Sequence, residues 1–199
     1  MSTSPLSAWV SLQGRHASLQ PLRPEHLDGL QAAAADGELH RLWYTSVAAP
    51  ERMAAEIERR LALHAAGSML PFTVFDAEGR IAGMTTYMNI DHATPRVEIG
   101  STWYARRVQR SGLNTECKLM LLQHAFEQLG CSAVEFRTHR MNHQSRRAIE
   151  RLGAQLDGVL RAHLRASDGT LRDSCVYSIT AFEWPAVKSH LQFQLDKPR

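Results

Sequence analysis

Apolar and polar positions along the chain follow two different periods, which divide it into predicted helices and strands. Where apolar residues recur every three to four positions, they form stripes that are typical of amphipathic helices. Proline or a capping residue begins most of these stretches, and glycine commonly ends them. The pattern predicts main helices at about 24–35, 50–66, 113–129, 142–152 and 185–195.

Alternation with a period of two predicts strands at about 16–23, 70–75, 80–90, 96–104, 132–138, 154–165 and 171–180. The strands at 70–75, 80–90 and 96–104 follow one another through short turns, so we expect an antiparallel meander. Because the order lacks repeated βαβ units, it predicts an α+β fold with one central sheet. This sheet should be mixed, mostly antiparallel and twisted, with helices flanking it. We expect a single domain over 1–199, with its core at about 16–181.

Composition narrows the class of protein. Of 199 residues, 44% are hydrophobic and 22% are charged, as in ordinary soluble domains. The first residues lack a basic region followed by an apolar run, and no stretch approaches the ~20 apolar residues of a membrane helix. A cytoplasmic protein without membrane contact is expected. Three cysteines without CxxC spacing indicate no disulfide framework, and we expect no metal ion. The net charge of +3, without a basic face interleaved with aromatics, argues against nucleic acid as a partner.

The turn between the strand at 96–104 and the helix at 113–129 is the most informative segment. It reads Gln109-Arg110-Ser111-Gly112-Leu113-Asn114-Thr115-Glu116, a basic, glycine-containing turn that leads into a helix N-terminus. The first N–H groups of a helix have no partner inside it, and the helix dipole favours an anion beside them. The segment therefore predicts a site for a phosphate-bearing ligand.

Two motifs connect this turn with a known family. The run from Gln109 to Asn114 matches a Q/R-x-x-G-x-G/A loop, and Asn142-His143-Gln144-Ser145 matches an N-x-x-S/A segment ahead of Arg151-Leu152-Gly153-Ala154. Together they resemble the GNAT N-acetyltransferases, in particular the RimJ/RimL-type branch that includes ribosomal-protein N-terminal acetyltransferases. Asn114 departs from the usual Gly or Ala. Ile149 stands where many relatives have tyrosine, which excludes a phenolic general acid there.

The resemblance implies acetyl-CoA as the co-substrate. The N–H groups of Arg110 to Asn114 would hold its pyrophosphate, and the backbone at Trp103 and Tyr104 would pair with the pantetheine arm. Asn142 would contact the pantetheine or the sulfur. Basic side chains near both motifs could reach the CoA phosphates. The predicted binding residues are Trp103, Tyr104, Gln109, Arg110, Ser111, Gly112, Leu113, Asn114, Thr115, Asn142 and Arg147.

Amide formation requires that an incoming ammonium lose a proton and that the leaving thiolate be stabilised or protonated. Glu98 is the candidate base, because similar enzymes place a carboxylate on this strand facing the cleft. Partial burial would raise its pKa toward a useful value. Ser145 matches the serine that the resemblance implies as the acid or thiolate partner. The alternatives are a solvent-facing strand residue for Glu98 and a simple helix-start residue for Ser145.

The acceptor is less defined by the sequence. The loop between the first two helices carries Trp43 and Tyr44, and the third strand carries Tyr87 and Asn89. By resemblance, these residues would line the pocket for a primary amine, which could be a protein or peptide N-terminus or a small molecule. The alternative is a non-catalytic acyl-CoA-binding or regulatory module on the same fold. Exposed sheet edges near the last hairpin leave a homodimer open.

Overall fold

The computed structural model describes residues 5–166 and 168–197. Their strands form one mixed sheet in the order β1-β2-β3-β4-β5-β6-β8-β7. The bounds are β1 (Leu12–Gln13), β2 (Ala17–Pro21), β3 (Met69–Asp76), β4 (Ile81–Asp91), β5 (Arg96–Tyr104), β6 (Ala133–His139), β7 (Gln155–Arg165) and β8 (Leu171–Thr180).

Short turns with proline lead into the first two α-helices. The 3₁₀ turns at Pro24–His26 and Pro50–Arg52 precede α1 and α2, because proline fits the first helical positions. Among the described residues, none of the helices combines the length and apolar character that crossing a bilayer requires. The α-helices are α1 (Leu27–Ala35), α2 (Met53–Ala65), α3 (Leu113–Gln123), α4 (His143–Glu150) and α5 (Trp184–Asp196).

The two faces of the sheet carry separate cores. On one face, α1 and α2 pack over a cluster that includes Met84 and Trp103. On the other, α3, α4 and α5 cover a larger cluster that includes Tyr87 and Ile99. Neighbouring residues of a strand point to opposite faces. Glu98, which precedes Ile99, therefore faces the side of α1, α2 and the loop between them.

Strands β5 and β6 are parallel and pair only over their first residues, after which they diverge. Their pairing covers Arg96↔Ala133, Val97↔Val134 and Glu98↔Glu135, although both strands continue beyond it. A parallel pair needs a crossover, which α3 supplies here. Near the point of divergence β5 is irregular, since Ser101 has a φ of 48° and the register with β4 shifts. The result is a gap between two strand ends, with main-chain groups left unpaired across it.

The predicted α+β fold with a mixed, mostly antiparallel sheet is confirmed. The bounds predicted for 96–104 and 171–180 match β5 and β8. The helix predicted to 129 instead changes from α to π at His124–Gln128. At that turn the Tyr87 hydroxyl donates to the Leu121 carbonyl at 2.5 Å, and a side chain inserted into the helical ladder is a recognised cause of such irregularity.

Candidate active site

The 109–115 loop presents main-chain N–H groups at the start of α3. Arg110 has a φ of 60°, so the chain reverses sharply before Gly112. The Ser111 hydroxyl donates to the Val108 carbonyl at 2.6 Å, which holds the turn in shape. In the described part of the chain, no acceptor bonds to the N–H of Gly112, Asn114 or Thr115. These free donors at a helix N-terminus form a site that suits an anion.

A cleft of about 370 Å³ opens beside this loop. Three of its basic side chains come from separate elements: Arg110 from the loop, Arg151 from the end of α4 and Lys197 from the end of α5. Arg147, predicted to reach the phosphates, is exposed on α4 and does not line the cleft. The cleft therefore takes its basic side chain from α4 at Arg151, one helical turn further on. Its lining residues are Arg110, Ser111, Thr115, Arg151, Leu152, Leu191, Gln194 and Lys197.

A buried carboxylate anchors the start of α3. Glu116 accepts hydrogen bonds from the main-chain N–H groups of Arg15, His16 and Ala17 at 2.9, 2.5 and 2.8 Å. These bonds tie the loop to the β1–β2 turn at one edge of the sheet. The sequence did not predict this anchor, because nothing in the local pattern reveals a partner so distant along the chain.

Glu98 lies at the mouth of the gap between β5 and β6 and is only 5% exposed. Its carboxylate accepts from the Asn89 side-chain amide at 2.7 Å and lies 3.5 Å from the Arg137 guanidinium. Burial raises the pKa of Glu98 above its usual value, against the opposing effects of the Asn89 hydrogen bond and Arg137. A carboxyl group of this kind suits proton abstraction at neutral pH.

Asn89 reaches Glu98 through an irregular backbone. Its φ of 48° interrupts the alternation of β4, and asparagine tolerates this region better than most residues. Tyr87, two positions earlier, is fully buried on the opposite face, where its hydroxyl bonds to the Leu121 carbonyl. The structure therefore corrects the prediction that Tyr87 lines the acceptor pocket, because a core side chain on the α3 face cannot reach it.

The α1–α2 loop supplies an aromatic wall beside His139 of β6. Trp43 is 60% exposed and its ring lies 5.0 Å from the His139 ring in an edge-to-face arrangement. Tyr44 packs against Trp43 with ring centroids 5.6 Å apart. The wall and Glu98 thus share one side of the sheet. We call the residues on this side of the sheet the Glu98 cleft: Trp43, Tyr44, Asn89, Glu98, Arg137, His139 and Arg172.

Arg137, His139 and Arg172 were missed by sequence reasoning. Arg137 and His139 belong to β6 and alternate with buried core residues, so they share the face of Glu98. Arg172 lies on β8, which pairs with β6. Burial lowers the pKa of His139, and the nearby positive charge of Arg172 lowers it further. The alternation of β6 in the sequence could have indicated Arg137 and His139. The pairing of β8 with β6, which positions Arg172, could not be read from the sequence.

The second motif lies at the start of α4. The Asn142 side chain accepts from the Ser145 N–H at 3.0 Å, which caps the helix. No bond to the Ser145 hydroxyl is found in the described residues, and the side chain is half-buried. Trp103 is buried in the α1–α2 core, and Tyr104 packs against the core on the α3 face. Because both side chains pack against the cores, only the main chain of these two residues can face the gap between β5 and β6.

Comparison with known proteins identifies the family. Residues 17–155 match the family described as the acetyltransferase (GNAT) domain. The chain belongs to the GNAT acetyltransferase family. It is 31% identical over 111 residues to "Putative ribosomal N-acetyltransferase YdaF" of Bacillus subtilis (strain 168), a match over 56% of this chain and 60% of that protein.

Solved GNAT structures share the fold over nearly the whole chain. A GCN5-related N-acetyltransferase from Brucella melitensis is 31% identical with a TM-score of 0.85, covering 98% of this chain and 89% of its own. Mycobacterium smegmatis RimJ in complex with CoA-disulfide is 23% identical with a TM-score of 0.78, covering 94% and 93%, and it bears on the fold alone. The 31% identity to a protein named as a ribosomal N-acetyltransferase agrees with the RimJ/RimL-type branch that the two motifs predicted.

The GNAT co-substrate fits features of this chain. Free N–H groups and a basic cleft suit its phosphates, and the gap beside β5 leaves main-chain groups for an extended arm. Asn114, the one departure in the GNAT loop, has its own N–H among the free donors. Ile149, the other departure, is buried in the core, so the position usually held by tyrosine carries no polar group here.

Proposed function

We propose that this GNAT protein transfers an acetyl group from acetyl-CoA to a primary amine, by direct attack in a ternary complex. The acceptor we favour is the N-terminus of a protein or peptide. The observation that carries the proposal is Glu98, a buried carboxylate with a raised pKa at the mouth of the gap between β5 and β6. A module that only binds acyl-CoA has no need of such a group.

On the donor side, the role proposed for the protein is to bind acetyl-CoA and to orient its thioester. The N–H groups of Gly112, Asn114 and Thr115 would hold the pyrophosphate, with Arg110 and Arg151 beside them. Bound acetyl-CoA supplies an activated thioester. The main chain of β5 past Glu98 would align this group through strand-like hydrogen bonds, for which the separation from β6 leaves room.

On the acceptor side, Glu98 removes the proton that the amine must lose before it attacks. The Asn89 amide fixes the carboxylate at 2.7 Å, and burial strengthens it as a base. The proton passes to Glu98 directly or through a water molecule. The exposed Trp43 ring offers an apolar surface for the first residues of a peptide. A relative named for ribosomal N-acetylation supports a protein acceptor.

Ser145 would stabilise or protonate the leaving thiolate. Its hydroxyl is free of bonds within the described chain, while its N–H is fixed by the Asn142 cap. A hydroxyl held at a helix start can donate to a developing negative charge without losing the helix. This role is proposed from the motif and from the free donor together.

The test is thiol release from acetyl-CoA with a panel of peptides and small amines, with mass spectrometry of the product. We expect Glu98→Gln to lower kcat/KM by about 10² to 10³-fold while acetyl-CoA affinity stays unchanged. The matched control is Glu58→Gln, at an exposed position on α2. In the wild type the acid limb of the pH profile should lie above the ordinary range of a glutamate, because the pKa of Glu98 is raised.

Two results would count against these assignments. Full activity of Glu98→Gln across the pH range would remove Glu98 as the base. If the wild type binds acetyl-CoA but no amine raises thiol release, the protein is a non-catalytic acyl-CoA-binding module.

A further inference from the structure

Arg172 lies in the Glu98 cleft without a partner of its own. Ser174 of β8 pairs with His139 of β6, and Arg172 lies two residues before Ser174 on the same strand. Since alternate residues of a strand point to the same face, the side chains of Arg172 and His139 lie on the same face of the sheet. The charge of Arg172 acts on two groups there, since it opposes the rise in the Glu98 pKa and lowers the pKa of His139. Its guanidinium therefore lies within electrostatic reach of both Glu98 and His139.

Neighbouring arginines are paired, whereas Arg172 is not. Arg137 bonds to Glu135 at 3.0 Å, and Arg96 bonds to the same carboxylate at 2.5 Å. On the adjacent hairpin, Arg161 contacts Asp173 at 3.1 Å. Within residues 5–166 and 168–197, the Arg172 side chain makes neither a hydrogen bond nor an ion pair, and its Nε is shielded from solvent. A buried donor without an acceptor is unfavourable, so a group that arrives with the ligand would satisfy it.

The charge count around Glu98 points to the sign of that group. Two carboxylates, Glu98 and Glu135, face three guanidinium groups, Arg96, Arg137 and Arg172. One positive charge remains in excess. An amine that has lost its proton cannot balance it, but an anion carried by the same acceptor can. A planar guanidinium fork matches a carboxylate in particular, through two parallel N–H···O bonds.

We propose that Arg172 binds a carboxylate of the acceptor, so that preferred acceptors are peptides with an acidic side chain in their first two residues. This inference rests on the proposed N-acetyltransferase function and specifies its substrate. Arg172 selects the acceptor by its charge, while Glu98 deprotonates the nitrogen. The Trp43 wall covers the backbone between the two contacts.

The test uses the full-length protein and two matched pairs of short peptides. One pair differs as Asp or Asn at the first residue, the other as Glu or Gln at the second. We expect the wild type to favour the carboxylate in at least one pair by about tenfold or more in kcat/KM. Arg172→Gln should bring that ratio to within about twofold of unity, and Arg161→Gln should leave it as in the wild type. Arg172→Lys, which retains the charge but not the fork, should give an intermediate ratio.

Each other result overturns the inference. Acetylation without preference in either pair, or a preference that persists in Arg172→Gln, leaves the enzyme function standing and removes Arg172 as the selector. Equal loss for all peptides, with a shifted acid limb, would mean that Arg172 acts only on Glu98. If no peptide is acetylated at all, the protein or peptide acceptor that we favour and this inference fall together, while activity on a small amine would leave the acetyltransferase function standing. Should Arg172→Gln fail to fold, the wild-type ratios and Arg172→Lys still decide.

Discussion

The 109–115 loop takes its binding groups from the main chain of one continuous segment. The Glu98 cleft collects side chains from β4, β5, β6, β8 and the α1–α2 loop. In the loop, Gly112, Asn114 and Thr115 contribute N–H groups that any residue except proline would also supply. In the cleft, the chemical nature of each side chain decides what is bound. The first region depends on local conformation, and the second depends on the tertiary fold.

This difference explains why a family can keep one ligand and vary the other. A loop of N–H groups at a helix start recognises phosphate whatever the surrounding surface. A cleft of side chains changes its specificity when one residue changes. Variants in the two regions should therefore separate: loop variants should weaken acetyl-CoA binding, and cleft variants should alter turnover or acceptor choice.

The largest effect expected on acetyl-CoA binding comes from filling the loop. Gly112 has φ and ψ of −71° and −17°, so a side chain costs no backbone strain there. Gly112→Trp should weaken acetyl-CoA binding about 100-fold or more, because a bulky ring would exclude the phosphates from several N–H donors. Calorimetric titration with acetyl-CoA measures this, and thermal unfolding checks the fold.

Gly158→Trp is the matched control, since the space around Gly158 on β7 is open. It should bind acetyl-CoA as the wild type does. Unchanged binding in Gly112→Trp would break the comparison, because the loop would then not be the phosphate site.

The contrast between a local loop and a cleft assembled by the tertiary fold also explains how much of each region could be predicted from the sequence. The loop could be read directly, because strand, turn and helix start are adjacent in the chain. Glu98 came from the resemblance. Its burial raises its pKa, and its contacts with Asn89 and Arg137 oppose that rise; these contacts depend on a φ of 48° and on strand pairing. Arg172 could not be predicted, because its position depends on β8 lying between β6 and β7. Tyr87 was assigned to the wrong face of the sheet. Alternation shows that neighbouring residues point to opposite faces, but it does not show which of the two faces lines the cleft.

A buried lysine on α3 gives the second test. Lys118, on α3, is 6% exposed and donates to the Thr102 hydroxyl of β5 at 3.0 Å. Burial lowers its pKa to about 8 from 10.5. Between pH 8 and 10.5 the unfolded chain binds more protons than the folded one, so this group makes stability rise with pH in that window. Below pH 8 its full cost is present.

Lys118→Met should therefore raise the free energy of unfolding at pH 7 by about 2 to 3 kcal/mol, with the gain vanishing toward pH 10.5. Urea unfolding at several pH values measures it. Lys188→Met, on α5, is the control and should not raise the free energy of unfolding at pH 7, because it removes an ion pair with Glu127. If Lys118 only supports the fold, acetyl-CoA affinity and kcat should stay near those of the wild type. A gain that is the same at every pH would contradict the assignment, and a large fall in kcat would mean that Lys118 also has a role in catalysis.

The smallest expected effect concerns Ser145 on α4, which the resemblance implies as the acid or thiolate partner. Ser145→Ala keeps the N–H that Asn142 caps, so the helix should remain. Removing one hydroxyl bond to a developing thiolate should lower kcat about tenfold and leave acetyl-CoA affinity unchanged. Ser189→Ala on α5, whose hydroxyl bonds only within its own helix, controls for the loss of a helical serine. An unchanged kcat would assign Ser145 to the helix start alone and leave Glu98 as the one residue of the proposed site that moves a proton.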